Sequence, residues 1–149
     1  MSETKSTLVL ETEDKVRRWL TQFFGAFRSG SITAVYRVGS SEVMVDVLPR
    51  GDEDVIVKVI ALLVKGATAS PDLFEFIARE NNELLFGRLC ATDSAEDGTI
   101  DVWFENNVLA TYLDPEELRW AVRAGAYSSE EYGSILAERF GGERFYEED

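Results

Sequence analysis

An α+β fold is what this sequence predicts: a five-stranded antiparallel sheet with helices packed on one face, in the order α-βββ-α-ββ-α. Three observations carry the prediction. The spacing of apolar residues switches from helical to alternating and back along the chain. The strand-like runs are joined by short turns rich in glycine, which makes neighbouring strands antiparallel. The best helix caps stand before, between and after the two groups of strands, so the helices can share one face.

The first element is an amphipathic helix from about Glu13 to Arg28, with Val16, Trp19, Leu20, Phe23 and Phe27 at helical spacing. Thr12 is its expected N-cap, Glu13 and Asp14 suit the positive end of its dipole, and Gly30 stands where it should stop. Ile32 to Val38 and Glu42 to Leu48 then form a hairpin around Gly39-Ser40-Ser41. After the turn Pro49 to Asp54, the run Asp54 to Lys65 is β-branched and almost continuously apolar, which predicts a strand inside the sheet. Ser70-Pro71-Asp72 opens the second helix with a cap, a first-position proline and an acid in the first turn. Leu73, Phe76, Ile77 and Leu84 mark its buried face. Phe86 to Thr92 and Thr99 to Ala110 make a second hairpin, with Asp97-Gly98 supplying its turn. Asp114-Pro115-Glu116-Glu117 begins the last helix, and Leu113 with Leu118 forms a hydrophobic staple. Gly125 weakens that helix and Ser128 with Glu131 offers a second capping box, so a kink or restart is expected there. The domain boundaries follow: a flexible N-terminus over 1–11, one domain over 12–142, and an acidic tail over 143–149 that ends in Glu147-Glu148-Asp149.

At 149 residues the chain can bury roughly 70% of its unfolded surface in one core. No stretch approaches the roughly 18 apolar residues of a membrane span and no signal-like segment opens the chain, so a cytoplasmic protein is expected. The lone Cys90 fits a reducing compartment and reads as a small core hydrophobe. With 28 acidic against 15 basic side chains, the net charge of −13 repels nucleic acid and anionic membranes and favours a basic or partly unfolded partner. The absence of histidine removes the commonest general base and metal ligand. Asp93-Ser94-Ala95-Glu96-Asp97-Gly98 fails as a calcium loop, because Ala95 and Phe104 stand where ligands belong. No glycine-rich phosphate loop is present, so no cofactor, metal site or catalytic residue is expected, and metal and nucleotide should be dispensable.

The order of elements, with Asn81-Asn82-Glu83-Leu84-Leu85-Phe86-Gly87-Arg88, the Asp97-Gly98 turn, the Asp114-Pro115-Glu116-Glu117 start and the terminal Arg139-Phe140-Gly141-Gly142, resembles the superfamily of type III secretion chaperones and YbjN proteins over nearly the whole chain. The resemblance implies a small acidic homodimer that holds partly unfolded segments of other proteins. It makes Asn81, Phe86 and Gly87 structural positions and supplies no catalytic residue.

The residues themselves point to the partner-binding or dimer surface. Trp103 alternates with Val102 and Phe104 so that it shares the outer strand face with Asp101 and Glu105. Trp120 lies off the Leu118-Ala121-Val122 face, and Ala124 and Tyr127 continue its stripe. Trp103, Trp120 and Tyr127 are therefore the candidate contacts, tryptophan and tyrosine being enriched where binding energy concentrates. The expected function is a non-enzymatic protein or peptide-binding adaptor. The alternatives are an acidic inhibitor or immunity-type protein that neutralises a basic enzyme, and a carboxylate enzyme using Glu80 and Glu83 near Arg79 and Arg88. Glu75 and Arg79 read more simply as a surface ion pair.

Overall fold

A computed structural model describes residues 4–145. Helix α1 spans Thr7–Phe24 and is capped by Ser6, whose Oγ accepts from the Val9 amide at 3.2 Å. It starts earlier than the periodicity predicts, because Val9 prolongs the buried Val16–Leu20 stripe by two turns. Thr12 is thus inside the helix, donating to the Leu8 carbonyl at 2.7 Å, and Glu13 is buried rather than dipole-facing. Gly25, not Gly30, ends the helix. The chain then extends as β1, Phe27–Arg28, where a last helical turn was expected, and the Phe27 ring packs 5.7 Å from Tyr36.

The predicted hairpins form as β2 (Ala34–Val38), β3 (Ser41–Arg50) and β4 (Asp54–Thr68), then β5 (Arg88–Asp93) and β6 (Thr99–Leu109). All pairings are antiparallel, in the order β1-β2-β3-β4-β6-β5, so the long β4 is interior as expected. The sheet has seven strands rather than five. The two extra ones, β1 and β7 (Glu143–Arg144), are two residues each, too short to show alternation in sequence. β7 falls in the expected acidic tail and pairs with Val64 and Lys65 of β4, beyond the last β3 partner at Ile60. Gly142 permits this. Its φ is +86° and a Cβ there would lie 2.6 Å from the Lys65 carbonyl oxygen, so no other residue could follow this path. The tail residues Glu147-Glu148-Asp149 lie outside the described residues.

Helix α2 spans Pro71–Glu83 with Ser70 as its cap, and α3 spans Pro115–Phe140 with Asp114 accepting from the Glu117 amide at 2.8 Å. All three helices cover the same face of the sheet. One core joins α1, the first half of α3 and the β2-β3-β4 side, around Leu20, Tyr36, Val57 and Val122. A second joins α2, the second half of α3 and the β4-β6-β5 side, around Leu63, Leu73, Phe104 and Leu136.

α3 is continuous through Gly125 and Ser128, so the expected restart does not occur. The small residues are there for packing: Gly125, Ala126, Ser128, Ser129 and Gly133 are the side that lies against the sheet. A Cβ at Gly125 would sit 3.5 Å from both Val43 and Val59, ordinary contact distance, so a methyl group fits. Gly125→Ala is therefore expected to stabilise the protein by about 1 kcal/mol through helix propensity, raising the melting temperature by roughly 3 °C. Gly125→Val should overpack the same gap, and a lower melting point for the alanine variant would contradict the fit.

Candidate protein-binding surfaces

The face of the sheet turned away from the helices carries the first surface. Strand register sets its side chains in rows: Leu48, Ile56 and Leu109 in one; Asp46, Lys58 and Asn107 in the next; then Val35, Met44, Ile60, Glu105 and Arg88; then Leu62, Trp103 and Cys90. Leu109 is exposed and the other apolar members are half-buried, and none belongs to either core. Trp103 stands here beside Asp101 and Glu105, as its alternation predicts. On this face Arg28, Arg37, Lys58 and Arg88 stand among Glu42, Asp46, Asp101 and Glu105, and Arg50 lies across from Asp54 at its end, so basic and acidic residues are matched. Several are in contact: Arg28 with Glu42 at 2.7 Å, Arg88 with Glu105 at 2.6 Å and Lys58 with Glu105 at 3.6 Å.

Glu105 is only 6% exposed. Burial alone would raise its pKa, but the Arg88 hydrogen bond and the Lys58 charge outweigh burial and hold it below its ordinary 4.5. Its contribution to stability is therefore present above about pH 4.5 and lost as pH falls through the depressed value. Melting curves from pH 7 to 3 should show Glu105→Gln losing less stability than the wild type across the acid limb; parallel curves would refute this. Cys90 next to it is held protonated, its thiol pushed up first by burial and then by the Glu105 carboxylate, which makes it a poor nucleophile.

The second surface is the outer ridge of α3. Trp120 and Tyr127 are 66% and 65% exposed, with the Arg123 guanidinium 5.6 Å from the Trp120 ring. The Tyr127 hydroxyl bonds to Glu131, which raises its pKa. This ridge and Trp103 lie on opposite sides of the molecule, one outside the helix layer and one outside the sheet.

The third region is the β5 edge. Asn81 Oδ1 accepts from the Leu89 amide at 2.6 Å and its Nδ2 donates to the Leu89 carbonyl at 3.1 Å, so this side chain occupies both backbone groups of Leu89 on the edge strand. Gly87 has φ +77° and a Cβ there would fall 2.3 Å from the Phe104 ring, which also explains why β5 begins at Arg88 and not at Phe86. Phe86 is 69% exposed, outside both cores, next to an even more exposed Leu85. Leu85, Phe74 of α2, Tyr112 and the Met44-Ile60-Leu62 apolar group were not singled out by sequence reading. The signal for the last of these was apolar residues of both parities in β3 and β4.

Of the carboxylates considered for chemistry, Glu80 and Glu75 are engaged elsewhere. Glu80 accepts from the Tyr132 hydroxyl at 2.9 Å, and that tyrosine is pushed up to about 12 by burial and then by Glu80. Glu75 and Arg79 form the expected ion pair at 2.7 Å. Asp93 to Gly98 closes the β5-β6 hairpin, with Ser94 and Thr99 bonding across it. Among the described residues no group of three or more histidine, cysteine or acidic side chains could hold a metal ion, and no helix is long and apolar enough to cross a membrane.

A sequence family described as T3SS (YopN, CesT) and YbjN peptide-binding chaperone 1 matches residues 11–148. Seven chains of solved structures match. Among them, YbjN from E. coli superposes with a TM-score of 0.54 at 15% identity, over 84% of this chain and 88% of that one. An uncharacterized protein from Methanothermobacter thermautotrophicus gives 0.53 at 14% identity, over 87% and 99%. No curated protein matches the sequence.

Proposed function

Because the chain belongs to this family of T3SS and YbjN peptide-binding chaperones, we propose that it is a non-enzymatic cytoplasmic adaptor that pairs with itself and holds an extended, partly apolar segment of another protein. The observation that carries the reading is the presence of two aromatic surfaces on opposite sides of one domain, the Trp103 sheet face and the Trp120–Tyr127 ridge. One serves the homodimer and the other the partner. Two apolar surfaces so separated are more than a monomer without partners needs. The net charge of −13 supports a basic or partly unfolded client. Asn81 and Gly87 are structural positions in this reading, and Phe86 adds apolar area beside the edge strand.

The same charge favours one other reading, an inhibitor that neutralises a basic enzyme. Trp103→Ala and Trp120→Ala, each examined by sedimentation for mass and by affinity capture for partners, separate the possibilities. Loss of an interface anchor costs on the order of 2 kcal/mol, roughly thirtyfold in affinity. One variant should lose the dimer and the other the partner. If both keep wild-type mass and every partner, the reading is wrong; capture of a single folded basic enzyme would favour the inhibitor.

A further inference from the structure

We infer that the open face of the sheet is where a second copy of this chain packs, leaving the α3 ridge for the client. This rests on the proposal that the chain pairs with itself and assigns that contact to a surface.

Three observations select a second copy as the occupant. A chain of net charge −13 repels its own copy almost everywhere, yet on this face basic and acidic side chains are matched in number, with Arg28, Lys58 and Arg88 each paired to Glu42 or Glu105, so two such faces can meet without net repulsion. The same neutrality makes it a poor place to attract a basic client. An extended segment laid across the face would also leave its own backbone groups unpaired, because the sheet's hydrogen bonds lie in the plane of the strands; it belongs at an edge. A second sheet brings its backbone already satisfied and presents only side chains.

The area suits a dimer as well. Five strands about 4.8 Å apart and about eight residues long at 3.3 Å each give roughly 600 Å² before side-chain relief, of the order of the 800 Å² that each partner of a standard interface contributes. At its centre lie Met44, Ile60, Leu62 and Trp103, half-buried by one another and by no helix.

Two measurements test the assignment. Sedimentation of the intact chain should give twice the chain mass, Ile60→Lys should give the single-chain mass with an unchanged circular dichroism spectrum, and Trp120→Ala should remain double. In the unaltered protein, Cys90, the only cysteine and a neighbour of Trp103 in the same row, should react with a bulky maleimide roughly tenfold more slowly once the dimer is populated, since only the free chain exposes it. Should Ile60→Lys fail to fold, the Cys90 rates decide alone. A doubled mass with Cys90 reactivity independent of concentration overturns the assignment while leaving self-pairing intact, as does a folded Ile60→Lys that stays double. A wild-type chain of single mass at every concentration overturns self-pairing itself. Loss of partner capture by Ile60→Lys from such a monomer would give the face to a client.

Discussion

Gly87→Ala should lower the melting temperature by about 10 °C. Two costs combine at this position. The backbone sits at φ +77°, where an L side chain costs roughly 1–2 kcal/mol. The added Cβ would also lie 2.3 Å and 2.6 Å from the Phe104 ring and 3.0 Å from the Glu105 carbonyl oxygen. Phe104 cannot step aside: it is 1% exposed, inside the second core. Forcing it costs a further 1–3 kcal/mol or so, for a total of about 3 kcal/mol at roughly 3 °C each in a domain of this size. Gly98→Ala is the control, since its φ is +79° with nothing near the new methyl; it should lose only about 3 °C. Phe104→Leu should recover part of the Gly87→Ala loss by making room. Equal melting points for the Gly87 and Gly98 variants would show that the ring contact does not matter.

Asn81→Ala should cost about 2 kcal/mol and change how the protein behaves when concentrated. The side chain satisfies both backbone groups of Leu89, and each such bond contributes roughly 1 kcal/mol. In an antiparallel strand both groups of one residue point the same way and alternate residues point oppositely. Leu89, Ala91 and Asp93 therefore face outward, and Asn81 closes the first of the three against strand addition. Removing it leaves a longer unpaired edge next to the exposed Leu85 and Phe86, so light scattering of the variant should rise with concentration while the wild type stays clear. Asn81→Asp keeps an acceptor for the amide but turns a carboxylate toward the Leu89 carbonyl, and should be at least as unstable. A clear Asn81→Ala solution with a wild-type melt would remove this role.

The elements legible in the sequence were those decided locally. Ser70 and Asp114 cap their helices as read, because a cap, a proline and an acid within a few residues need nothing from the rest of the fold. Thr12 misled for the same reason: it has cap chemistry, but Val9 gains more by joining the buried stripe, so Ser6 takes the cap. Gly125 looked like a break on propensity, yet the helix runs through it because this side of α3 is buried against the sheet, a tertiary reason invisible in a local window. The two-residue strands exist only because β2 and β4 have free edges beside them. Of the surfaces, the α3 ridge was readable from helical spacing. The apolar breadth of the open sheet face was not: helices on one face were expected, but the apolar residues of the opposite parity in β3 and β4 were read only as the mark of an interior strand.

The way α3 joins the two cores bears on how the chain is made. Its contacts reach far back: Ser41 bonds to the Ala126 carbonyl 85 residues on, and Ser129 to the Leu62 carbonyl 67 residues back. Both cores need this helix, yet the ribosome delivers it after the strands it covers. At roughly 5–20 residues per second, the 26 residues of α3 take about 1–5 s to synthesise. For that interval β3 and β4 are finished without their main cover, and the nascent chain displays the bare inner face of the sheet beside the Met44-Ile60-Leu62 group of its outer face. Productive folding of this protein is therefore a late event, gated by its last long helix, and the window before it is when the chain itself most needs protection from its neighbours.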